Sequence, residues 1–286
     1  MEQVLGVIGG SGLYEMEGLT EVNEVIVQTP FGDPSDAFIT GMLDGVRMVF
    51  LPRHGRGHRL LPSEVNYRAN IYGMKQLGVT RLISVSAVGS MREEIEPGHI
   101  VIPDQFIDRT NATRANTFFG KGIVAHVQFA NPVCSELSAV LEVAARKAGA
   151  SVHRNGTYLC MEGPAFSTRA ESLLYRTFGV SVIGMTNVPE AKLAREAELC
   201  YGVIALATDY DCWHETHDDV SVDAILAIIR QNVTMAKTII RNACASLAAE
   251  RKCPCVNALQ YAIITDRSVI PEKVKSDLAP IIGKYL

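Results

Sequence analysis

Val4-Leu5-Gly6-Val7-Ile8-Gly9-Gly10-Ser11-Gly12 is the stretch that decides the fold. Its apolar residues run on without the polar alternation of a half-exposed strand, so Val4–Ile8 reads as a strand covered on both faces. The glycines that follow let the backbone curl tightly at the strand's carboxyl end. Outward from this point the pattern recurs. Apolar, β-branched runs at Glu24–Val27, Ala37–Met42, Arg47–Leu51, Arg81–Val85, His99–Ile102, Val180–Gly184 and Gly202–Ala207 read as further strands. Helical patterns lie between them: Ser63–Leu77, Ser135–Lys147, Thr168–Phe178, Pro189–Leu199 and Ser221–Ala249, the third opened by the capping box Thr168-Arg169-Ala170-Glu171. Strands alternating with helices predict an α/β fold: one domain, 1–286, with a twisted mixed sheet flanked by helices. In such sheets ligands bind at the carboxyl ends of strands.

Composition narrows the function. With 286 residues, 48% of them apolar, and Lys+Arg 27 against Asp+Glu 31, the chain is globular and slightly acidic. That balance argues against nucleic acid or an anionic membrane as partner. Met1-Glu2-Gln3 opens with an acid where a secretory leader would carry Lys or Arg, and the expected location is the cytoplasm. Seven cysteines, among them Cys134, Cys160, Cys200 and Cys212 scattered in apolar sequence, fit reduced, buried thiols. Cys253-Pro254-Cys255 is too tight for a CxxC redox motif and shows no second pair of zinc ligands in the sequence. It reads as structurally neutral, with a strained disulfide as the lesser alternative.

Four strand ends carry anion-friendly residues. Gly9-Gly10-Ser11-Gly12 suits either a tight turn or an anion cradle, and it is neither a dinucleotide fingerprint nor a P-loop. Pro52-Arg53-His54-Gly55-Arg56-Gly57-His58-Arg59 gathers three arginines and two histidines directly after an apolar strand, which favours an oxyanion site over a solvated loop. Ser84-Val85-Ser86-Ala87 and Met185-Thr186 add small hydroxylic ends. Ala207-Thr208-Asp209-Tyr210-Asp211-Cys212-Trp213 closes another strand with two carboxylates, and these lack the further ligands a metal site would need. Proton donation to a leaving nitrogen is an alternative use for them.

The order and content of these segments resemble the trimeric purine nucleoside phosphorylase family. Beyond those already quoted, the resemblance rests on Thr29-Pro30-Phe31-Gly32-Asp33-Pro34, Pro62-Ser63-Glu64-Val65-Asn66-Tyr67, Glu94-Ile95-Glu96-Pro97-Gly98, Asp104-Gln105-Phe106-Ile107-Asp108-Arg109-Thr110, Glu162-Gly163-Pro164, Phe166-Ser167-Thr168-Arg169 and Met185-Thr186-Asn187-Val188-Pro189-Glu190. It runs from about Val4 to Ala249, and the tail 251–286 matches poorly.

The resemblance implies phosphorolysis, in which phosphate attacks C1′ of a nucleoside as the purine leaves. By it, Ser11, Arg53, His54, Ser86, Ala87 and Thr186 would surround the phosphate, Met185 would touch the ribose and Phe166 would lie over the base. His58 would border the 5′ end together with His126 from an adjacent subunit, in a trimer or a dimer of trimers. Asp209 would protonate the leaving purine, with Asp211 as a supporting contact to its amino group. Relatives acting on 6-oxopurines carry Asn in place of Asp209 and Glu in place of Ser167, so Ser167 and Asp209 form the adenine-type pair. Val222 and Ile225 are apolar where those relatives place a His for the 5′-hydroxyl, which suits a 5′-methylthio group. The implied reaction converts 5′-methylthioadenosine to adenine and a ribose 1-phosphate, with inorganic phosphate as co-substrate and no metal or organic cofactor. A 6-oxopurine phosphorylase acting on inosine, guanosine or methylthioinosine is the alternative. Gly184 and Asn187 depart from the family's frequent Asn and Thr beside Met-Thr.

Overall fold

The computed structural model describes residues 3–10, 12–111, 113–214 and 222–286, with side chains throughout except for 222–231. Along the described chain run β1 (Val4–Gly9), β2 (Thr20–Val25), β3 (Phe38–Leu43), β4 (Val46–Pro52), α1 (Tyr67–Gln76), β5 (Arg81–Ser90), β6 (Ile100–Ile102), β7 (Gln105–Arg109), α2 (Ser135–Lys147), β8 (Val152–Arg154) and β9 (Thr157–Met161). Then follow α3 (Arg169–Thr177), β10 (Val182–Gly184), α4 (Asn187–Glu196), β11 (Cys200–Asp209), α5 (Val222–Cys244) and the short α6 (Glu272–Asp277) and α7 (Ala279–Ile282). The strands form one mixed sheet in the order β2-β3-β4-β1-β5-β10-β9-β7, with β11 branching from β5 to β6 and β6 carrying β8. All six residues of β1 are buried, as its unbroken apolar run predicts.

Helices cover both faces. On α2, Leu137, Leu141, Ala144 and Ala145 recur at helical spacing, and they pack with Ile239, Ile240 and Ala243 of α5 against Leu5, Val7, Phe50 and Ile204. On the other face Ile71 and Met74 of α1 and Val188, Ala191 and Ala194 of α4 pack against Val4, Ile8, Val49 and Val203. Leu278, Ile281 and Ile282 of the tail join this second cluster, and Tyr72 Oη donates to the Asp277 carbonyl at 2.7 Å. No described helix is long and apolar enough to cross a membrane.

Strand register sets the crevice. β1 runs parallel to β4 with Gly9 opposite Pro52, and parallel to β5 with Ile8 opposite Ser84. β11 runs parallel to β5 with Ala205 opposite Ser86; an irregularity after Ala207 then brings Asp209 opposite Gly89. β10 approaches antiparallel, Ile183 opposite Gly89, and delivers Met185 and the start of α4 to the same edge.

Three expectations change. α1 starts at Tyr67, capped by Asn66 through its carbonyl oxygen on the Ala69 N–H at 3.2 Å, and not at Ser63, because Leu61 to Val65 close into a turn first. β7 and β9, which pair in parallel, were not expected: Gln105–Arg109 is too polar to read as buried, and Thr157–Met161 is short. The cysteines are free thiols, and Cys134, Cys160 and Cys200 are buried, as read, but their isolation is not general. Cys134 and Cys200 are not isolated, because their sulfurs and those of Cys253 and Cys255 all lie within 4.8 Å of one another.

Candidate active site

Arg53 follows β4 and is drawn inward. Its backbone N–H donates to the Gly9 carbonyl at 2.9 Å, tying the basic loop to the glycine loop. The guanidinium is 3% exposed and forks onto Glu190 of α4, with Nε to Oε2 at 2.7 Å and Nη2 to Oε1 at 3.1 Å. It also donates to the carbonyls of Val85 and Ile8 and to Ser84 Oγ. The Glu190 carboxylate, fully buried, accepts in addition from Ser84 Oγ at 2.9 Å and Tyr201 Oη at 3.1 Å. A buried charge pair this well satisfied holds one geometry firmly. Arg53 therefore spends most of its five N–H donors inside the protein, which the reading of the loop as a free phosphate fork did not foresee. Arg56 and Arg59 turn away: Arg56 pairs with Glu24 and Asp36, and Arg59 donates to the Ser35 carbonyl.

His54 stacks on the exposed His58 with ring centroids 4.4 Å apart. Its Nδ1 lies 2.8 Å from the Leu60 carbonyl, so Nδ1 carries the proton and Nε2 is left as an acceptor. Burial, together with the Arg53 charge, pushes the imidazole down to about 4, and His54 is neutral at physiological pH. Ser86 Oγ shares a 3.2 Å hydrogen bond with Tyr158 Oη, while Ala87 is exposed beside it. Thr186 is buried as the N-cap residue of α4, and the hydroxyl of this N-cap makes no capping bond to the helix.

Asp209 stands at the end of β11. Its Oδ2 accepts from Thr208 Oγ1 at 2.6 Å and its Oδ1 from the Asp211 N–H at 2.8 Å. Both bonds favour the anion, yet burial above all, aided by the nearby Asp211 charge, raises its pKa. Asp211 is raised too, again chiefly by burial. Gly89 permits this approach: a Cβ there would stand 3.0 Å from Asp209 Oδ1 and 3.3 Å from Asp211 Cβ. Ser167 is buried, with Cys212 Sγ donating to its carbonyl, and Phe166 beside it leaves its ring 48% exposed. Arg114 fastens the loop before them, bonding the Glu162 side chain and carbonyl as well as the Met185 carbonyl.

The structure thus gathers Arg53, His54, Ser86, Ala87, Met185, Thr186 and Asp209 at one sheet edge, with Ser167, Asp211, Phe166 and His58 around it. Ser11 and the side chains of Val222 and Ile225 lie outside the described residues. His126 is elsewhere. It is exposed, its N–H donates to the Ala262 carbonyl, and it lines a separate cleft of about 640 Å³ with Asp104, Arg195 and Tyr261. Glu190, Arg114, Glu162 and Tyr158 were missed as site-building residues. Glu190 sits on a helix that also carries Lys192, Arg195 and Glu196, so a carboxylate there gave no signal, and Arg114 sits in loop sequence that gave none either. The chemistry available is oxyanion binding at one end of the crevice and proton donation from a buried carboxyl at the other.

Comparison with known proteins shows that the chain belongs to the phosphorylase superfamily. Residues 4–255 match the model of the phosphorylase superfamily. The S-methyl-5′-thioadenosine phosphorylase of Geobacter sulfurreducens is 79% identical over 286 residues, covering 100% of both chains. A methylthioadenosine phosphorylase sourced from an antarctic soil metagenomic library is 48% identical, with a TM-score of 0.93 over 98% of this chain and 99% of its own. The methylthioadenosine phosphorylase from Schistosoma mansoni, solved in complex with adenine, is 36% identical with a TM-score of 0.82, covering 98% of each chain.

Proposed function

From its membership of the phosphorylase superfamily, we propose that this chain phosphorolyses S-methyl-5′-thioadenosine, giving adenine and 5-methylthioribose 1-phosphate. The observation that carries the reading is the buried carboxyl of Asp209, its pKa raised by burial, at the same strand ends as Arg53, Ser86 and the N-terminus of α4. Phosphate would sit among the glycine loop with Ser11, Ser86, Ala87 and Thr186, the O–H of hydrogen phosphate donating to the unprotonated Nε2 of His54. Arg53, held cationic by Glu190, supplies the fixed positive charge. The C1′–N9 bond breaks as a phosphate oxygen closes on C1′. Its electron pair moves into the purine, and Asp209 delivers a proton to N7. Positive charge developing on the sugar faces the bound phosphate, so the same anion stabilises the transition state and is placed to attack. Phosphate serves as co-substrate, and proton donation activates the leaving base without any further cofactor.

Phe166 offers its exposed ring to the purine face, Ser167 and Asp211 the edge contacts, and Met185 the ribose contact. With the apolar Val222 and Ile225, these select a 5′-methylthio group and a 6-amino purine. We place the tail 251–286 in the same domain, the protein in the cytoplasm, and the active assembly as a trimer or dimer of trimers in which His126 completes a neighbour's pocket. The test is release of free base from methylthioadenosine, adenosine, inosine and methylthioinosine, each with and without phosphate. Methylthioadenosine should be the best substrate and phosphate obligatory. Turnover without phosphate would make the enzyme a nucleosidase, and preference for inosine would move it to the 6-oxopurine enzymes.

A further inference from the structure

Away from the crevice, four cysteines from three distant parts of the chain converge on one point. Cys134 is the N-cap residue of α2, Cys200 opens β11, and Cys253 and Cys255 flank Pro254 at the short turn that follows α5. The backbone brings them together: the Cys134 N–H donates to the Tyr201 carbonyl at 2.8 Å, next to Cys200. All four are buried, and all four sulfurs lie within 4.8 Å of one another. Cys200 Sγ and Cys253 Sγ are 3.2 Å apart.

We propose that Cys134, Cys200, Cys253 and Cys255 hold one zinc ion as a closed, structural tetrathiolate site. Zinc–sulfur bonds of about 2.3 Å in a tetrahedron put sulfurs about 3.8 Å apart, inside the spread seen here. Disulfides would draw the sulfurs into two pairs, whereas here each sulfur neighbours all three others. Four protein ligands leave no open position, so the role is to hold structure rather than to activate a substrate. Each thiol gives up its proton on binding, and four thiolates around a dication leave excess negative charge. Arg251 Nη1 lies 3.8 Å from Cys200 Sγ, and the positive end of α2 begins at Cys134; both offset that charge. The cleft of about 640 Å³ is lined by Cys134, Cys253 and Cys255 and gives an ion a route in. Bound there, zinc would pin the tail, which enters at Cys253, to the start of β11 and the head of α2.

The proposal is tested on the full chain, purified without chelators from cells supplied with zinc. Elemental analysis and native mass spectrometry should show about one zinc per chain. Removal under reducing conditions followed by Co²⁺ should produce the visible bands of tetrahedral cobalt with thiolate-to-metal charge transfer. The double variant Cys253→Ser/Cys255→Ser should bind zinc more weakly by on the order of tenfold or more. Should that variant fail to fold, release of zinc from the unaltered protein by a mercurial, in proportion to the thiols consumed, gives the same information. Protein carrying no zinc overturns the site, whether its four sulfurs are found as disulfides by intact mass or as free thiols. So does a cobalt spectrum lacking thiolate charge transfer.

Discussion

At Asp209 the chemistry turns on one proton. Burial raises the carboxyl's pKa although Thr208 and the Asp211 N–H both bond its oxygens, so protonation costs less here than at an exposed strand end. Asp209→Asn removes the donor while keeping the shape. We expect kcat on methylthioadenosine to fall on the order of 10²–10⁴-fold and relative preference to move toward inosine, whose 6-oxo group the Asn amide can meet. Steady-state kinetics on both nucleosides decide it, and unchanged turnover of methylthioadenosine removes Asp209 from the mechanism. A pH profile adds an independent check. The acid must be protonated to act, so kcat should decline as pH rises through its shifted pKa, and the variant should lack that limb. Arg53 requires a different experiment. Truncating it to Ala leaves Glu190 buried without its partner, at a cost of about 3–5 kcal/mol, so weakened phosphate binding and a folding defect would be confounded. Arg53→Lys keeps the cation but loses the fork. It should raise the KM for phosphate more than that for nucleoside, and equal increases in both would place Arg53 in a purely structural role.

Glu196, at the C-terminal end of α4, ties that helix to the segment before it by accepting from Thr117 Oγ1 and the Phe118 N–H, each at 2.7 Å. Burial outweighs those bonds and raises it from 4.5 to about 7. The folded state therefore binds a proton that the unfolded chain has already lost. Stability from this group is fully present below the unfolded value and is lost as pH rises from about 4.5 to about 7. Glu196→Gln, which does not titrate, should flatten the fall of Tm across that range, although it gives up one of two acceptor bonds. Melting curves that fall equally steeply in both proteins would show that Glu196 titrates normally. The same element shows why parts of the molecule were legible in sequence and parts were not. Local chemistry announces itself: the Thr168–Glu171 capping box forms at the head of α3, and the apolar run of β1 is buried throughout. The strand-end residues Arg53, Ser86, Thr186 and Asp209 were readable because a parallel sheet collects such ends at one edge. What escaped depends on contacts between distant segments. Nothing near Glu190 in sequence foretells that Arg53 lies across the sheet from it. Cys134, Cys200, Cys253 and Cys255 meet only once β11, α2 and the tail have packed. Gly184 could be read as a departure from the family, but not as a consequence of Tyr158, whose Oη would lie 1.9 Å from a Cβ there.

For the whole molecule the unresolved placement is that of His126. The crevice of one chain gathers the groups proposed to face phosphate and to donate the proton, and among the described residues no contact places His126 near it. That residue lies exposed on another cleft, its backbone N–H donating to the Ala262 carbonyl. An exposed apolar strip on α3, Leu173, Leu174 and the adjoining Phe178, adds surface that association could cover. In the closed ring proposed above, each pocket would take Asp209 from one subunit and His126 from the next. Two inactive partners should rescue each other. Subunits carrying Asp209→Asn keep a good His126, and subunits carrying His126→Ala keep a good Asp209. After equal mixing and exchange about one pocket in four pairs an intact Asp209 with an intact His126. Activity on methylthioadenosine should then rise above the mean of the two parents toward about a quarter of the unaltered enzyme. Exchange demonstrated by mass spectrometry without that rise, or a fully active monomer, would show that each chain builds its pocket alone.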